Sequence, residues 1–407
     1  MDVIVLGLML LSLTIWLGLL CFWGQFWRTD QQLEVETLYT TSLQSLPVVC
    51  AVVPARNEAE LIPTSLRSLL LQDYPGSFNV FLVDDRSTDR TANFAEGVAH
   101  AVGKPQQLHI ISGESLPPGW SGKLWAVEQG IKSASKFAPD YFLLTDADIE
   151  HDPGHLRRLV AKALQEDLDM VSVMVRLRCK SFWEKLLIPA FVFFFQKLYP
   201  FRWVNNPNNP TAAAAGGSIL IAREALERIG GIQVIRQALI DDCALAQAVK
   251  NSGGVVGDKR TSPMPSQGRI WLGLSTLTCS LRPYDSLVTI WDMVARSAYT
   301  QLNYSPLLLL GTLVGMPLIY LVPPVCVILG AVWGNWAIAL TGILGWLLMA
   351  FAYYPTIRFY KCSSWLAFSL PAIAFLYTLM TLDSALRHWQ GRGGAWKGRV
   401  YPSSDNF

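Results

Sequence analysis

The run VIVLGLMLLSLTIWLGLLCFW at residues 3–23 contains no charged residue. No water reaches the core of a bilayer to satisfy backbone N–H and C=O groups, so a run of this length there is restricted to a helix that satisfies them internally. It reads as an uncleaved membrane anchor rather than a signal peptide. The apolar run is long, no A-x-A site follows it, and Asp2 rather than a basic residue precedes it. Residues 305–357 are also free of charge, enough for two spans, and Pro323 and Pro324 are expected at the turn between them. Residues 362–382 form a further candidate span. These runs account for a composition of 51% hydrophobic and 16% charged residues, too apolar for a wholly soluble chain.

Charge suggests an orientation. Arg28 follows the first run, and RFYK (358–361) separates the last two, so both points are expected in the cytoplasm by the positive-inside rule. Three C-terminal spans would put the basic tail RHWQGRGGAWKGR (387–399) on the opposite face, which makes one of them a candidate for a re-entrant or interfacial segment. The expected units are an anchor at 1–28, a mixed, charge-bearing domain at 45–300, a C-terminal region of two to three spans at 305–386, and a basic tail at 387–407. Residues 182–203, FWEKLLIPAFVFFFQKLYPFRW, are aromatic but broken by charges, and suit an interfacial helix or an ordinary buried one. A net charge of +2 implies no acidic polymer partner, so no nucleic acid is expected. The seven cysteines are scattered without CxxC spacing, which fits a reduced compartment and speaks against structural zinc.

Between the apolar ends, short β-branched runs alternate with helical spacing. PVVCAVV (47–53), NVFLVDD (79–85), LHIIS (108–112) and YFLLTDAD (141–148) read as strands. Residues 55–72, 88–102 and 123–137 read as helices. This alternation predicts βαβ units and a mainly parallel α/β sheet. Ligands bind such sheets off the carboxyl ends of the strands. The polar clusters Arg56–Asn57–Glu58, Asp84–Asp85 and Asp146 with Asp148 all fall there. Neither GxGxxG nor a P-loop is present, so no dinucleotide or Walker-type site is expected.

Asp146 and Asp148, in TDAD, are one residue apart at a strand end and point the same way. Such oxygen ligands suit Mg²⁺ or Mn²⁺ bound together with phosphate, although exposed turn acids would read the same. Asp84 and Asp85 can accept hydrogen bonds from a base and a ribose; Ser87, Thr88 and Asp89 equally suit a helix cap. Lys123 opens a helix in GWSGKLWA, where a cation opposes the helix dipole unless an anion lies between them. Asp241 and Asp242 open another helix, ordinary for acids there, but also a place for a general base. Arg296 stands just before the membrane, able to grip a diphosphate or to snorkel. His151 and His155 are i,i+4, but Pro153 and Gly154 between them disfavour a zinc pair.

In order, PARNE, VDDRSTD, GWSGKLWA, TDAD, GGS, DD and a membrane-proximal arginine resemble the inverting family 2 glycosyltransferases of GT-A fold, over about residues 47–300. GWSGKLWA, DDCALA, MVARSAYTQL and WKGRVY are most similar to the hopanoid-biosynthesis-associated branch, near ceramide glucosyltransferases. The resemblance implies a Rossmann-like GT-A domain with transmembrane helices. It implies that Pro54, Arg56 and Glu58 line the nucleotide pocket, that Asp85, with Asp84, holds uracil or ribose, and that Lys123 meets the diphosphate. Asp146 and Asp148 would hold the metal, Mg²⁺ or Mn²⁺, and the nucleotide sugar; Gly216, Gly217 and Ser218 would border the acceptor. Asp242 would be the catalytic base and Arg296 would stabilise the leaving group. Asp241 stands where the family has Glu, and Met293 and Ser297 depart from the family's Q/R-x-x-R-W motif. That departure speaks against polymer synthesis and for transfer of one sugar, from a UDP-sugar, to a lipid. The domain is then expected on the cytoplasmic side of an inner or plasma membrane. The rival expectations are a nucleotidyltransferase and a catalytically degenerate membrane scaffold.

Overall fold

Helix α1 (Asp2–Phe22) is the first apolar run, formed as a single helix. Beyond it the strand–helix alternation is realised as β1 (Val49–Ala55), α2 (Ile62–Leu70), β2 (Phe78–Asp84), α3 (Thr91–Ala101), β3 (Leu108–Ser112), α4 (Gly122–Ala134) and β4 (Tyr141–Leu144). Then come β5 (Ile149–Glu150), α5 (His155–Gln165), β6 (Met170–Arg176), α6 (Phe182–Leu198), β7 (Ile219–Ala222), α7 (Asp241–Asn251) and β8 (Ile270–Ser280). These positions come from a computed structural model, which describes residues 2–33, 46–253, 268–392 and the backbone of 395–396 and 399–400. The rest of the expected basic tail, and half of WKGRVY with it, lies outside the described residues.

The strands lie in the order β3–β2–β1–β4–β7–β6–β8–β5. The first four run parallel. β7 enters antiparallel between β4 and β6, β6 and β8 are parallel again, and β5 pairs antiparallel with the end of β8. β1 is buried at every position, as suits a central strand covered on both faces. Helix α4 lies so close to β1 and β2 that a Cβ at Gly130 would come within 2.4 Å of Val52. The expected helix at 55–72 starts only at Ile62, because Pro63 belongs in a first turn, where its missing N–H costs nothing. Residues 56–61 are thereby left as a loop at the carboxyl end of β1.

Past β8 come α8 (Leu287–Ala295), α9 (Pro306–Met316), α10 (Val322–Trp333), α11 (Trp336–Phe359) and α12 (Leu370–Trp389). Among the described residues four helical stretches are long and apolar enough to cross a membrane: 3–22, 306–333, 336–359 and 364–389. The turn between the middle two is not at Pro323 and Pro324. It is at Gly334, with φ of +66°, and Asn335, whose side chain accepts the Ile338 N–H. The prolines are absorbed because a π-helical turn at Pro317–Leu321 precedes them and they open the next helix, where no N–H is needed.

The last apolar stretch begins and ends against the same body. At its start Arg176 donates to the Tyr360 carbonyl (3.1 Å), and Cys362 Sγ lies 3.6 Å from Cys179 Sγ. At its end Arg387 pairs with Asp292 of α8 (2.7 Å), and Trp291 donates to Asp383 (2.7 Å). Between these points the chain reaches along α11 to Trp346, which donates to the Phe368 carbonyl. Helix α6, capped by Ser181 and Glu184, joins the sheet domain to the apolar helices. Phe193 packs on Phe26 and Tyr353, Phe194 packs on Tyr320, and Tyr377 donates to the Leu187 carbonyl.

Candidate active site

The carboxyl ends of β1 and β4, the first turns of α4 and α7, and the segments after β8 and α12 enclose a cavity of about 560 Å³. Of the residues singled out in the sequence, Pro54, Glu58, Lys123, Asp146, Asp148, Asp241 and Arg296 line it. A small inner recess of about 30 Å³ shares Pro54, Lys123, Asp146 and Asp241 with it and adds Gly216 and Asp242.

Lys123 is the hinge of this arrangement. Ser121 caps α4 by accepting the Leu124 N–H, which sets Lys123 in the first turn. Its Nζ bridges Asp146 (2.9 Å) and Asp241 (3.0 Å). The anion that offsets a cation at this helix end is thus supplied by the chain itself. Burial works against the ammonium, but Asp146 and Asp241 outweigh it and hold its pKa above the usual lysine range. Burial also pushes the Asp146 carboxyl up, against the pull of Lys123. Asp242 accepts the backbone N–H of Gly216 (2.9 Å) and of Cys243 (2.8 Å). Burial, reinforced by Asp241, raises its pKa to about 6, against the pull of Lys123.

Asp148 is held differently. Arg282 Nε donates to its Oδ2 (2.8 Å), and Arg282 Nη2 reaches Glu58 (2.6 Å). Arg282 is in place because β8 pairs with β5 and the Leu281 N–H donates to the Asp148 carbonyl (2.8 Å). The backbone of the TDAD turn is pinned from behind. Ser65 donates to the Ala147 carbonyl (2.6 Å), and Thr145 donates to the Gly217 carbonyl (2.7 Å). His151 meets Thr145, and His155 joins Ser218 to Thr278, all buried. Burial depresses both imidazoles, His151 to about 3, so they work as neutral hydrogen-bonding groups.

Arg56, Asp84, Asp85, Gly217 and Ser218 are not among the described residues lining the cavity. The Asp84 carboxylate accepts the Ser87 N–H (3.1 Å) and so shapes its own turn. Asp85 is buried, and Arg56 donates to both its carbonyl (2.7 Å) and its carboxylate (3.5 Å). Ser218 is fully buried and turned toward His155.

Sequence reasoning missed Arg282, Tyr284, Arg387 and Arg392, which also line the cavity. Arg282 follows a strand that was not read as one. Arg387 and Arg392 belong to the stretch assigned to a basic tail, whereas α12 continues to Trp389 and carries Arg387 back to the site. Two basic residues so close to the end of an apolar helix were the available signal.

Among the described residues, no three His, Cys, Asp or Glu side chains form a metal-holding group by themselves. Asp146 and Asp148 nevertheless fit Mg²⁺ or Mn²⁺. Both offer only oxygen, and such ions take one or two carboxylates and complete their shell with phosphate and water.

Residues 50–230 match the profile of the family described as Glycosyl transferase family 2. Over those residues the chain is similar to family 2 glycosyltransferases. The matched segment holds the β1, β2 and β4 clusters, Lys123 and the 216–218 loop; Asp241, Asp242, Arg282 and Arg296 lie beyond the matched residues. An undecaprenyl-phosphate 4-deoxy-4-formamido-L-arabinose transferase of Enterobacter is 30% identical over 36% of this chain and 42% of its own. A beta-monoglucosyldiacylglycerol synthase of Synechocystis is 25% identical over 54% of this chain and 44% of its own. The matches thus span less than half the length of these curated relatives. Among solved structures, the mannosyltransferase PcManGT from Pyrobaculum calidifontis, in complex with GDP-Man and Mn²⁺, is similar over 95% of this chain and 99% of its own. Its TM-score is 0.52 at 18% identity. The likeness establishes the GT-A fold and extends over nearly the whole chain.

Proposed function

We propose that this protein moves one sugar from a nucleoside-diphosphate sugar to a membrane lipid, with inversion at the anomeric carbon. The observation that carries this reading is the Lys123 bridge. It brings the metal-type carboxylate Asp146 together with Asp241 and, next to it, Asp242, in the cavity and its inner recess. Mg²⁺ or Mn²⁺ on Asp146 and Asp148 would neutralise the departing diphosphate. Lys123 and Arg296 hold its oxygens by charge-assisted hydrogen bonds. Asp242, with a pKa near 6, is a carboxylate at neutral pH and takes the proton of the acceptor hydroxyl. One base and one direct displacement invert the centre.

A lipid acceptor is supported by the cavity's lining, which includes Met293 and Ala295 of α8 and Arg387 at the end of the apolar α12, and by the names of the two relatives, each of which contains a lipid. The altered arginine motif, with Met293 and Ser297, supports a single transfer. A UDP-sugar is the first donor to test, and the hopanoid-associated, ceramide-glucosyltransferase-like branch remains the narrower proposal. Asp85 with Arg56 supports the base and ribose end of the donor as a buried frame.

For the membrane we propose three crossings, by α1, α9–α10 and α11, and a re-entrant 362–392. Trp23 donates to the Lys197 carbonyl, Gln196 to the Arg28 carbonyl and Arg176 to the Tyr360 carbonyl, which supports one shared face for Arg28, RFYK and the catalytic domain. The C-terminus then joins that face, in keeping with its basic charge. Nucleotide sugars are cytoplasmic, so this face is taken as the cytoplasmic one.

The test is release of nucleoside diphosphate from a panel of UDP- and GDP-sugars. The full chain is used in detergent with native lipid and Mg²⁺ or Mn²⁺, with Asp242→Asn alongside. Release with one donor, lost in the variant, is the expected result. Nucleotide binding without release, unchanged in Asp242→Asn across a broad lipid panel, would favour a non-catalytic scaffold.

A further inference from the structure

Arg282 belongs to none of the motifs that point to sugar transfer, yet it lines the cavity and joins two of its acids, Asp148 and Glu58. Its guanidinium forks between Asp148 (2.8 Å) and Glu58 (2.6 Å). The two carboxylates are only 11% and 7% exposed, whereas Arg282 is 31% exposed and lines the cavity. Ser280 lies 3.4 Å from the same Asp148 oxygen. A divalent ion binds a carboxylate oxygen directly, at about 2.1 Å for Mg²⁺. Arriving at Asp148 Oδ2, it would stand against a guanidinium already on that oxygen, in a partly buried place where like charges are weakly screened.

The neighbouring cation has the same design. Lys123 straddles Asp146 and Asp241, as Arg282 straddles Asp148 and Glu58. Each cation holds one metal-type carboxylate and one second anchor. It can release the first and remain paired through the second. A planar guanidinium freed on one edge is well shaped to take two phosphate oxygens.

We propose that Arg282 is a resident counter-ion that holds Asp148 while the site is without nucleotide and shifts to the diphosphate oxygens when metal and nucleotide arrive together. Metal binding is thereby made dependent on the nucleotide. The proposal rests on the reading of Asp146 and Asp148 as metal ligands, and the control variant separates the two.

The experiment measures Mn²⁺ binding by the electron paramagnetic resonance signal of free Mn²⁺. It uses the full chain in detergent, with Mn²⁺ alone and with added UDP or GDP, for the native protein, Arg282→Gln and Asp148→Asn. The native protein is expected to bind Mn²⁺ at least tenfold more tightly with nucleotide than without. Arg282→Gln is expected to bind Mn²⁺ alone at least tenfold more tightly than the native protein, with the help from nucleotide reduced below threefold. Asp148→Asn is expected to lose Mn²⁺ binding in both conditions. Should Arg282→Gln not fold, Arg282→Lys decides, since an ammonium lacks the fork and Mn²⁺ alone should bind at least threefold more tightly. If the variant at position 282 binds Mn²⁺ alone within twofold of native while Asp148→Asn loses binding, the Arg282 proposal fails by itself. If Asp148→Asn binds Mn²⁺ like the native protein, the metal reading and this proposal fail together.

Discussion

Two acidic pairs stand at strand ends in this sheet, Asp84 with Asp85 after β2 and Asp146 with Asp148 after β4, and the fold uses them in opposite ways. Neither member of the first pair is among the described residues lining the cavity. Asp84 holds the Ser87 amide, and Asp85 is buried against Arg56. The second pair lines the cavity, and its partners are the ends of two long, flexible cations, Lys123 and Arg282. Short bonds to backbone amides shape a loop and are costly to exchange, because a buried acceptor left unmet pays its full desolvation. Contacts to a lysine or arginine tip can be handed over to a ligand. We propose that access to the cavity, rather than the spacing of the acids, sets the two pairs apart.

This contrast can be broken experimentally. The largest effect is expected inside the cavity. Asp242→Asn should lower kcat by about 10² to 10⁴-fold, the range of a lost general base, with nucleotide affinity little changed. A loss confined to KM would remove Asp242 from that role. Asp148→Asn should lower kcat/KM by about 10³-fold, since a bound divalent ion is worth several kcal/mol of charge stabilisation and each 1.36 kcal/mol is tenfold. Asp84→Asn in the same assay should stay within about threefold of native, as a turn-shaping group would. Equal losses at positions 84 and 148 would erase the distinction.

The pH profile sharpens it further. The Asp242 carboxyl has its pKa raised to about 6, and only its ionised form accepts a proton. Turnover should therefore fall about tenfold per pH unit below about 6 and level off above it. A profile flat from pH 5 to 7 would point to another base, with Asp241 on the cavity wall as the next to test. The smallest effect is one of stability. Asp84→Ala should cost about 1 kcal/mol, the net value of one hydrogen bond, read as a lower melting temperature with near-native turnover. No change in melting would show that the Ser87 contact contributes nothing measurable.

Much of this was legible beforehand because it depends on local pattern. Alternating strand and helix signals located β1 to β4 and the helices between them, and the strand ends carried the polar clusters. The GGS loop was legible as a small-residue segment, but Ser218, just before β7, is buried and hydrogen-bonded with His155. Pro323 and Pro324 looked like a turn, since proline breaks a regular helix; a π-helical turn ahead of them removes the conflict. Arg282 was not legible, because only the pairing of β5 with β8, residues far apart in the chain, brings it to Asp148.

From the sequence alone came the apolar helices, the α/β order of the sheet and the acids available for chemistry, because periodicity, hydrophobic length and side-chain type act within a few neighbours along the chain. The tertiary structure decided which acids face the cavity, which cations hold them and that the last apolar stretch returns to the sheet domain. Those outcomes depend on contacts between segments well separated along the chain, such as Arg282 with Glu58 and Cys362 with Cys179. Local propensity carries no information about such pairs; packing of the whole chain does.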